Sequence, residues 1–224
     1  MEEKIDESLK KEDENKNIKI LLYVITFLIL MTGAIFFLFG ENSIFGDKYT
    51  YENKNTGDKF SFKKEKIDEN LVLHTLTAYS IYQRIGHKYD ISFRNNPKEL
   101  ETLSIDDVRK NILGKERLYI TLDPNYKGKA VVASVELARI LGQAEWGVFK
   151  IPTSAATIEK TNTTYPVITC KDVSSRVGVI WLRLGNTTSV TSYKGCVIVE
   201  GTDYDNLIKA ADKLAYYLLG VMPR

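Results

Sequence analysis

The sequence predicts an α/β fold, with α+β as the alternative arrangement, attached to one apolar helix near its N-terminus. Three observations carry this reading. Residues 20–40 form a run without a single charged side chain. Residues 48–95 alternate apolar and polar side chains around turn signals, which is the period of β-strands. From residue 96 onward, strand-like runs alternate with helical periodicity, the pattern of a mixed sheet covered by helices. The 224 residues are 44% hydrophobic and 27% charged with a net charge of +2, a globular composition that lacks the basic excess of a nucleic-acid binder.

The tail, residues 1–19, is rich in Glu, Asp and Lys and nearly free of apolar residues, so it cannot bury a core of its own. It carries −2, against +4 for the part beyond the apolar run. The run from Ile20 to Gly40 matches the roughly 20 helical residues that cross a bilayer. Its Leu, Ile and Phe side chains occupy every helical face, whereas the core helix of a water-soluble domain keeps a polar stripe. It is too long for the apolar stretch of a cleaved signal peptide, no small-residue cleavage pattern follows, and no cysteine follows directly to take a lipid. The expectation is an uncleaved signal anchor at 20–40, with the lipid bilayer as its partner. Lys4, Lys10, Lys11, Lys16 and Lys19 precede the run, and only Lys48 and Lys54 follow closely, which predicts a cytoplasmic N-terminus and a C-terminal part outside.

A short polar stalk, 41–47, leads into the β-rich segment 48–95. There Tyr49 and Tyr51 alternate with polar residues, Gly57-Asp58 makes a turn, and Phe60 and Phe62 alternate again, which predicts a hairpin. A second hairpin is expected from Leu71–Tyr82, which also admits a helix, and Tyr89, Ile91 and Phe93. The α/β segment, 96–224, is expected to form one outer domain with 48–95. Ser104 with Asp107 resembles a capping box and predicts a helix through Leu113. Arg117–Leu122 reads as a buried strand, Gly128–Leu141 as a helix buried through Val131, Val135, Ala138 and Leu141, and Trp146–Ile151 as a strand, together a βαβ unit with parallel strands. Val167–Cys170, Val177–Leu184 and Cys196–Glu200 read as further strands. The last helix, capped by Thr202 and ended by Gly220, places Leu207, Ile208, Ala211, Leu214, Ala215 and Leu218 on one stripe against a sheet.

Cys170 and Cys196 are the two cysteines of the chain, and an even count in an oxidising compartment points to a disulfide. Without Cys-x-x-Cys, and with His74 and His87 as the histidines, zinc is not expected. The Asn-x-Thr triplets at Asn162 and Asn186 are candidate glycosylation acceptors, a motif expected by chance in a chain this rich in Asn, Ser and Thr. No nucleophile elbow, metalloprotease helix, phosphate-binding loop or dinucleotide fingerprint occurs, so no catalytic residue and no cofactor is assigned. The one candidate for ligand chemistry is the loop Asp123, Lys127, Gly128 and Lys129: it opens a helix after a strand, where two lysines at a helix N-terminus attract an anion.

The segment VIVEGTDYDNLIKAADKLAYYLLG, Val197–Gly220, with YPVITC and VGVIWLRLGN before it, resembles the end of archaeal surface-layer-type domains and of uncharacterised single-pass archaeal surface proteins. The resemblance covers about 60 residues and implies a cell-envelope location with an accessory or structural role. The expected function is that of a membrane-anchored extracytoplasmic domain with a noncatalytic structural or interaction role beside other membrane or envelope proteins. The alternative is an anchored binding module or enzyme acting on an extracellular anion at Asp123–Lys129.

Overall fold

The structure is a computed structural model that describes residues 19, 21–34, 47–82, 85–126, 128–144, 147–160 and 164–224. It divides into two compact units, Met1–Gly46 and Asp47–Arg224. In the first, residues 21–34 form helix α1. All its large apolar side chains from Leu21 to Met31 are exposed. Its two threonines turn their hydroxyls back onto the helix, Thr26 Oγ1 donating to Leu22 O and Thr32 Oγ1 to Leu28 O, both at 2.8 Å. Among the described residues no helix is long and apolar enough to cross a membrane. Ile20 and residues 35–40 of the predicted anchor, with the tail 1–18 and stalk residues 41–46, lie outside the described residues.

The second unit is a mixed α/β structure with two sheets. The strands of the first, β1 (Lys48–Glu52), β2 (Lys59–Lys66), β3 (Val72–Tyr82) and β4 (Ile85–Phe93), form an antiparallel meander in chain order. Tyr49 pairs with Phe62 and Tyr51 with Phe60, so the predicted hairpin has the register its alternation demands. Leu71–Tyr82 takes its strand reading rather than the helical one, because β-branched and aromatic side chains fit a pleated surface.

The remaining strands are β5 (Ser104–Ile105), β6 (Arg117–Leu122), β7 (Thr153–Thr157), β8 (Val177–Leu184), β9 (Ser189–Tyr193) and β10 (Cys196–Gly201). They form a six-stranded sheet in the order β5-β9-β10-β8-β6-β7. Pairs β10-β8, β8-β6 and β6-β7 are parallel and β9-β10 is antiparallel. The helices are the short α2 (Arg109–Ile112), α3 (Lys129–Leu141) and α4 (Tyr204–Leu218). α3 rests on β6 and β7, and α4 on β8, β9 and β10. The other side of α4 meets the first sheet, where Phe93 and Phe62 lie 4.1 and 5.8 Å from the Tyr216 ring. The core is thus a helical layer between two sheets. It is lined by Phe62, Leu76, Ile91 and Phe93 above and by Leu118, Ile120, Ile180, Leu182, Val197 and Val199 below.

This layering corrects several sequence expectations. α4 is not buried on one stripe only: Asp212, Lys213 and Tyr216 are buried with the predicted Leu and Ala residues, because the first sheet covers the opposite face, and Tyr217 is buried against Asp107 and Arg109. α3 buries Ala130, Ala133, Leu137, Ile140 and Leu141, while Val131 and Val135 are exposed. Small residues let the helix lie close to its neighbours, so the stripe of larger apolar residues is not the packed one. Ser104 starts strand β5 rather than a helix; Asp107 accepts the Tyr217 hydroxyl instead of capping, and only Arg109–Ile112 is helical. The strand expected at Trp146–Ile151 lies instead at Thr153–Thr157. Val167–Cys170 makes only one bridge, Val167 to Thr157, before a 3-10 turn. The cap of α4 is Asp203, whose carboxylate accepts from Asn206 N, one residue beyond Thr202.

Candidate functional site at the carboxyl edge of the parallel strands

β6 runs through α3 to β7 on one side, while β8 leads through β9 to β10 on the other. The connections therefore diverge between β6 and β8, and crevices of α/β sheets form beyond the carboxyl ends of strands at such a point. An open cleft of about 440 Å³ lies there, lined among others by Asp123 and Tyr126 after β6, Trp181 and Arg183 of β8, Asn186, and Glu200 of β10.

Its centre is an ion pair set by register, since parallel pairing puts Arg183 directly beside Glu200. Arg183 donates through Nε to Glu200 Oε2 at 2.6 Å, and its Nη2 lies 2.5 Å from the same oxygen. The second carboxylate oxygen accepts from Thr187 N at 3.0 Å and Thr187 Oγ1 at 2.8 Å. Burial pushes the Glu200 carboxyl up, but the hydrogen bonds from Thr187 and Arg183 outweigh it and hold the group below the usual carboxylate range. The Arg183 guanidinium also stands 5.1 Å from the Trp181 ring centre. Gly185 leaves room for this arrangement, because a side chain there would overlap the Glu200 carboxyl group.

On the β6 side, Asp123 Oδ1 accepts from Asn125 N at 2.8 Å and Asn125 Nδ2 at 3.0 Å, which fixes the Pro124 turn. The Tyr126 hydroxyl accepts Leu184 N at 3.0 Å, and its ring packs edge-on to Tyr204, tying the β6 loop to β8 and α4. The cleft therefore presents one cation already held by a carboxylate, a further carboxylate at Asp123, an indole and an exposed amide at Asn186. This is a surface for hydrogen bonding and stacking.

Of the sequence candidates, Asp123 lines this cleft. Lys127 lies outside the described residues. Gly128 has φ 53°, a left-handed conformation suited to glycine, and immediately precedes α3. Lys129 does not stand free for an anion: its Nζ donates to both Asp205 oxygens, at 2.5 and 2.7 Å, joining the first turns of α3 and α4. Asn186 lies in the cleft, and Asn162 is outside the described residues. His74 is buried and hydrogen-bonded to the Tyr49 hydroxyl at 3.0 Å. Cys170 and Cys196 form a disulfide with a Cα separation of 5.2 Å. The bridge fastens the chain between β7 and β8 to the start of β10.

The sequence reading missed Trp181, Arg183 and Glu200. Each sits at a strand position where strict alternation would have flagged it: Trp181 and Arg183 are two apart in VGVIWLRL, and Glu200 is the one charge in CVIVEG. Among the described residues no group of three or more His, Cys, Asp or Glu side chains is placed to hold a metal ion. Comparison with protein-family models, with curated proteins and with solved structures finds no match to this chain.

Proposed function

We propose that the chain is a single-pass membrane-anchored protein whose C-terminal unit lies outside the cytoplasm and serves a noncatalytic structural or interaction role at the cell envelope. The observation that carries this reading is the Cys170–Cys196 disulfide, since bridges of this kind persist in oxidising compartments. The apolar run 20–40 and the lysines before it supply the anchor and its direction. The exposed side chains of α1, with its threonine hydroxyls bonded to the helix backbone, suit a hydrocarbon surrounding. The envelope placement is also what the surface-layer-like ending implies. The contact surface for envelope partners is the cleft around Arg183, Glu200 and Trp181, where ion-paired and aromatic groups converge.

The test is topology in intact cells. Membranes washed at alkaline pH retain an anchored chain, and protease added outside removes the C-terminal unit while leaving the tail. A thiol reagent applied without reductant leaves Cys170 and Cys196 unlabelled. Extraction by the alkaline wash, protection from outside protease, or two free thiols in protein isolated without reductant refutes the proposal.

The anionic-ligand alternative has one feature in its favour, the position of Lys129 in the first turn of α3, where the helix N-terminus favours negative charge. An anion at Lys129 must displace Asp205, so Asp205→Asn is expected to increase affinity if that reading holds.

A further inference from the structure

β4 is the terminal strand of the first sheet, and among the described residues its outer edge has no neighbouring strand along Ile85–Phe93. A free edge of this length is a template for one more strand. The side chains identify which strand fits. Tyr89 and Ile91 point inward and are buried above Arg139 and Ile140 of α3. Lys88 and Asp90 stand exposed on the outer face, one on each side of Tyr89. Asp90 accepts the Thr77 hydroxyl at 2.6 Å, which holds its carboxylate on that face.

We propose that the partner of this edge is a second copy of the chain, with β4 pairing antiparallel to β4 of the other copy about a twofold axis at Tyr89. Opposed residues in an antiparallel pair share a face of the sheet, so only registers centred on a residue keep the two apolar faces together. In the register centred on Tyr89, Lys88 of each copy lies opposite Asp90 of the other, giving two ion pairs. Centring on Lys88 opposes two lysines, and centring on Asp90 opposes two aspartates. Among registers centred on a residue, only the one at Tyr89 opposes Lys88 to Asp90, so the charge pattern selects that register.

The helix below the strand agrees. Val131 and Val135, 44% and 51% exposed, form an apolar stripe on the flank of α3 that neither the sheets nor α4 cover. A twofold axis at Tyr89 sets the two α3 helices side by side beneath an eight-stranded sheet, stripe to stripe, and isologous contacts of this kind are the commonest form of oligomer.

The experiment uses the full-length chain in detergent micelles, with its mass measured by sedimentation over a range of protein concentrations. The wild type is expected as a dimer. Lys88→Glu and Asp90→Lys each replace two attractive cross-strand pairs by two repulsive ones and are expected to weaken the dimer by about tenfold or more. The double variant Lys88→Glu/Asp90→Lys restores opposite charges across the axis and with them the wild-type mass. Val135→Lys is expected to weaken the dimer independently of the charge swap. Circular dichroism spectra matching wild type show that each variant is folded, which the exposure of these positions favours. A monomeric wild type overturns the proposal. So does a dimer that ignores both single reversals, as a contact through α1 alone would, and so does a double variant that fails to regain the dimer.

Discussion

Asp212 is a buried carboxyl group of α4, and replacing it with asparagine tests how the helical layer is held. It lies on α4 with 1% of its surface exposed, and its carboxylate accepts Asn95 N at 3.0 Å and Asn95 Nδ2 at 2.8 Å from the end of the first sheet. Burial, reinforced by the nearby Glu136 carboxylate, pushes the Asp212 carboxyl up to about 7. Glu136 itself is raised by burial despite the hydrogen bond it accepts from Arg94 at 2.8 Å. Because the folded-state value of Asp212 exceeds the unfolded one of about 3.9, the folded protein keeps a proton that the unfolded chain releases. The stability this supplies is complete below about pH 4 and is lost as pH rises to about 7. Three units at about 1.36 kcal/mol each make the loss about 4 kcal/mol. The asparagine of the Asp212→Asn variant is uncharged at every pH, so the variant lacks this slope. Urea unfolding of both proteins between pH 4 and pH 8, with equal m-values as the control, measures the difference in stability, and titrating groups that do not interact with Asp212 cancel in it, which leaves Asp212 and its coupling to Glu136. The expected result is a difference that moves by about 4 kcal/mol in favour of Asp212→Asn across that range. A difference constant with pH means that Asp212 ionises as it does in water, and it refutes the reasoning.

Replacing both Cys170 and Cys196 by serine opens a loop with a sequence separation of 26, and the chain-entropy relation gives a loss of about 3.5 kcal/mol, read as a lowered urea midpoint. Tyr216→Ala removes a fully buried ring between Phe62 and Phe93 and is expected to cost about 3 to 5 kcal/mol. Tyr216→Phe, which loses only the hydroxyl's hydrogen bond to Asn95 O, is expected to cost about 1 kcal/mol. Gly185→Ala drives a methyl group into the Glu200 carboxylate, so thermal unfolding should reveal a loss of about 1 to 3 kcal/mol. Wild-type stability for this variant would mean that the Arg183–Glu200 pair is free to move aside.

How much of this was legible depended on whether the signal was local. β6, β8 and β10 are short apolar runs bounded by turn residues, and a strand buried on both faces has no other way to read, so their limits were found nearly to the residue. The cysteine pairing was legible because two cysteines admit one bridge. The face of α3 was not, because hydrophobicity ranks Val131 and Val135 above Ala130 and Ala133, whereas a helix flanked by α4 and two sheets is limited by available space. β5 was hidden for a related reason: Ser104 with Asp107 has the sequence of a capping box, and only the arrival of Tyr217 from the far end of the chain gives the Asp107 carboxylate another partner. The candidate site follows the same logic. Arg183 and Glu200 lie 17 positions apart with β9 between them, and nothing local couples them. They meet because β10 returns parallel to β8 in the register that aligns Val199 with Leu182, and the next pair along is the arginine with the glutamate. The apolar pairs fix that register by burial on the helix-facing side, so the ion pair on the opposite face is a consequence of core packing. A substitution that shifts the core register by one residue would therefore dismantle the cleft without touching any residue that lines it.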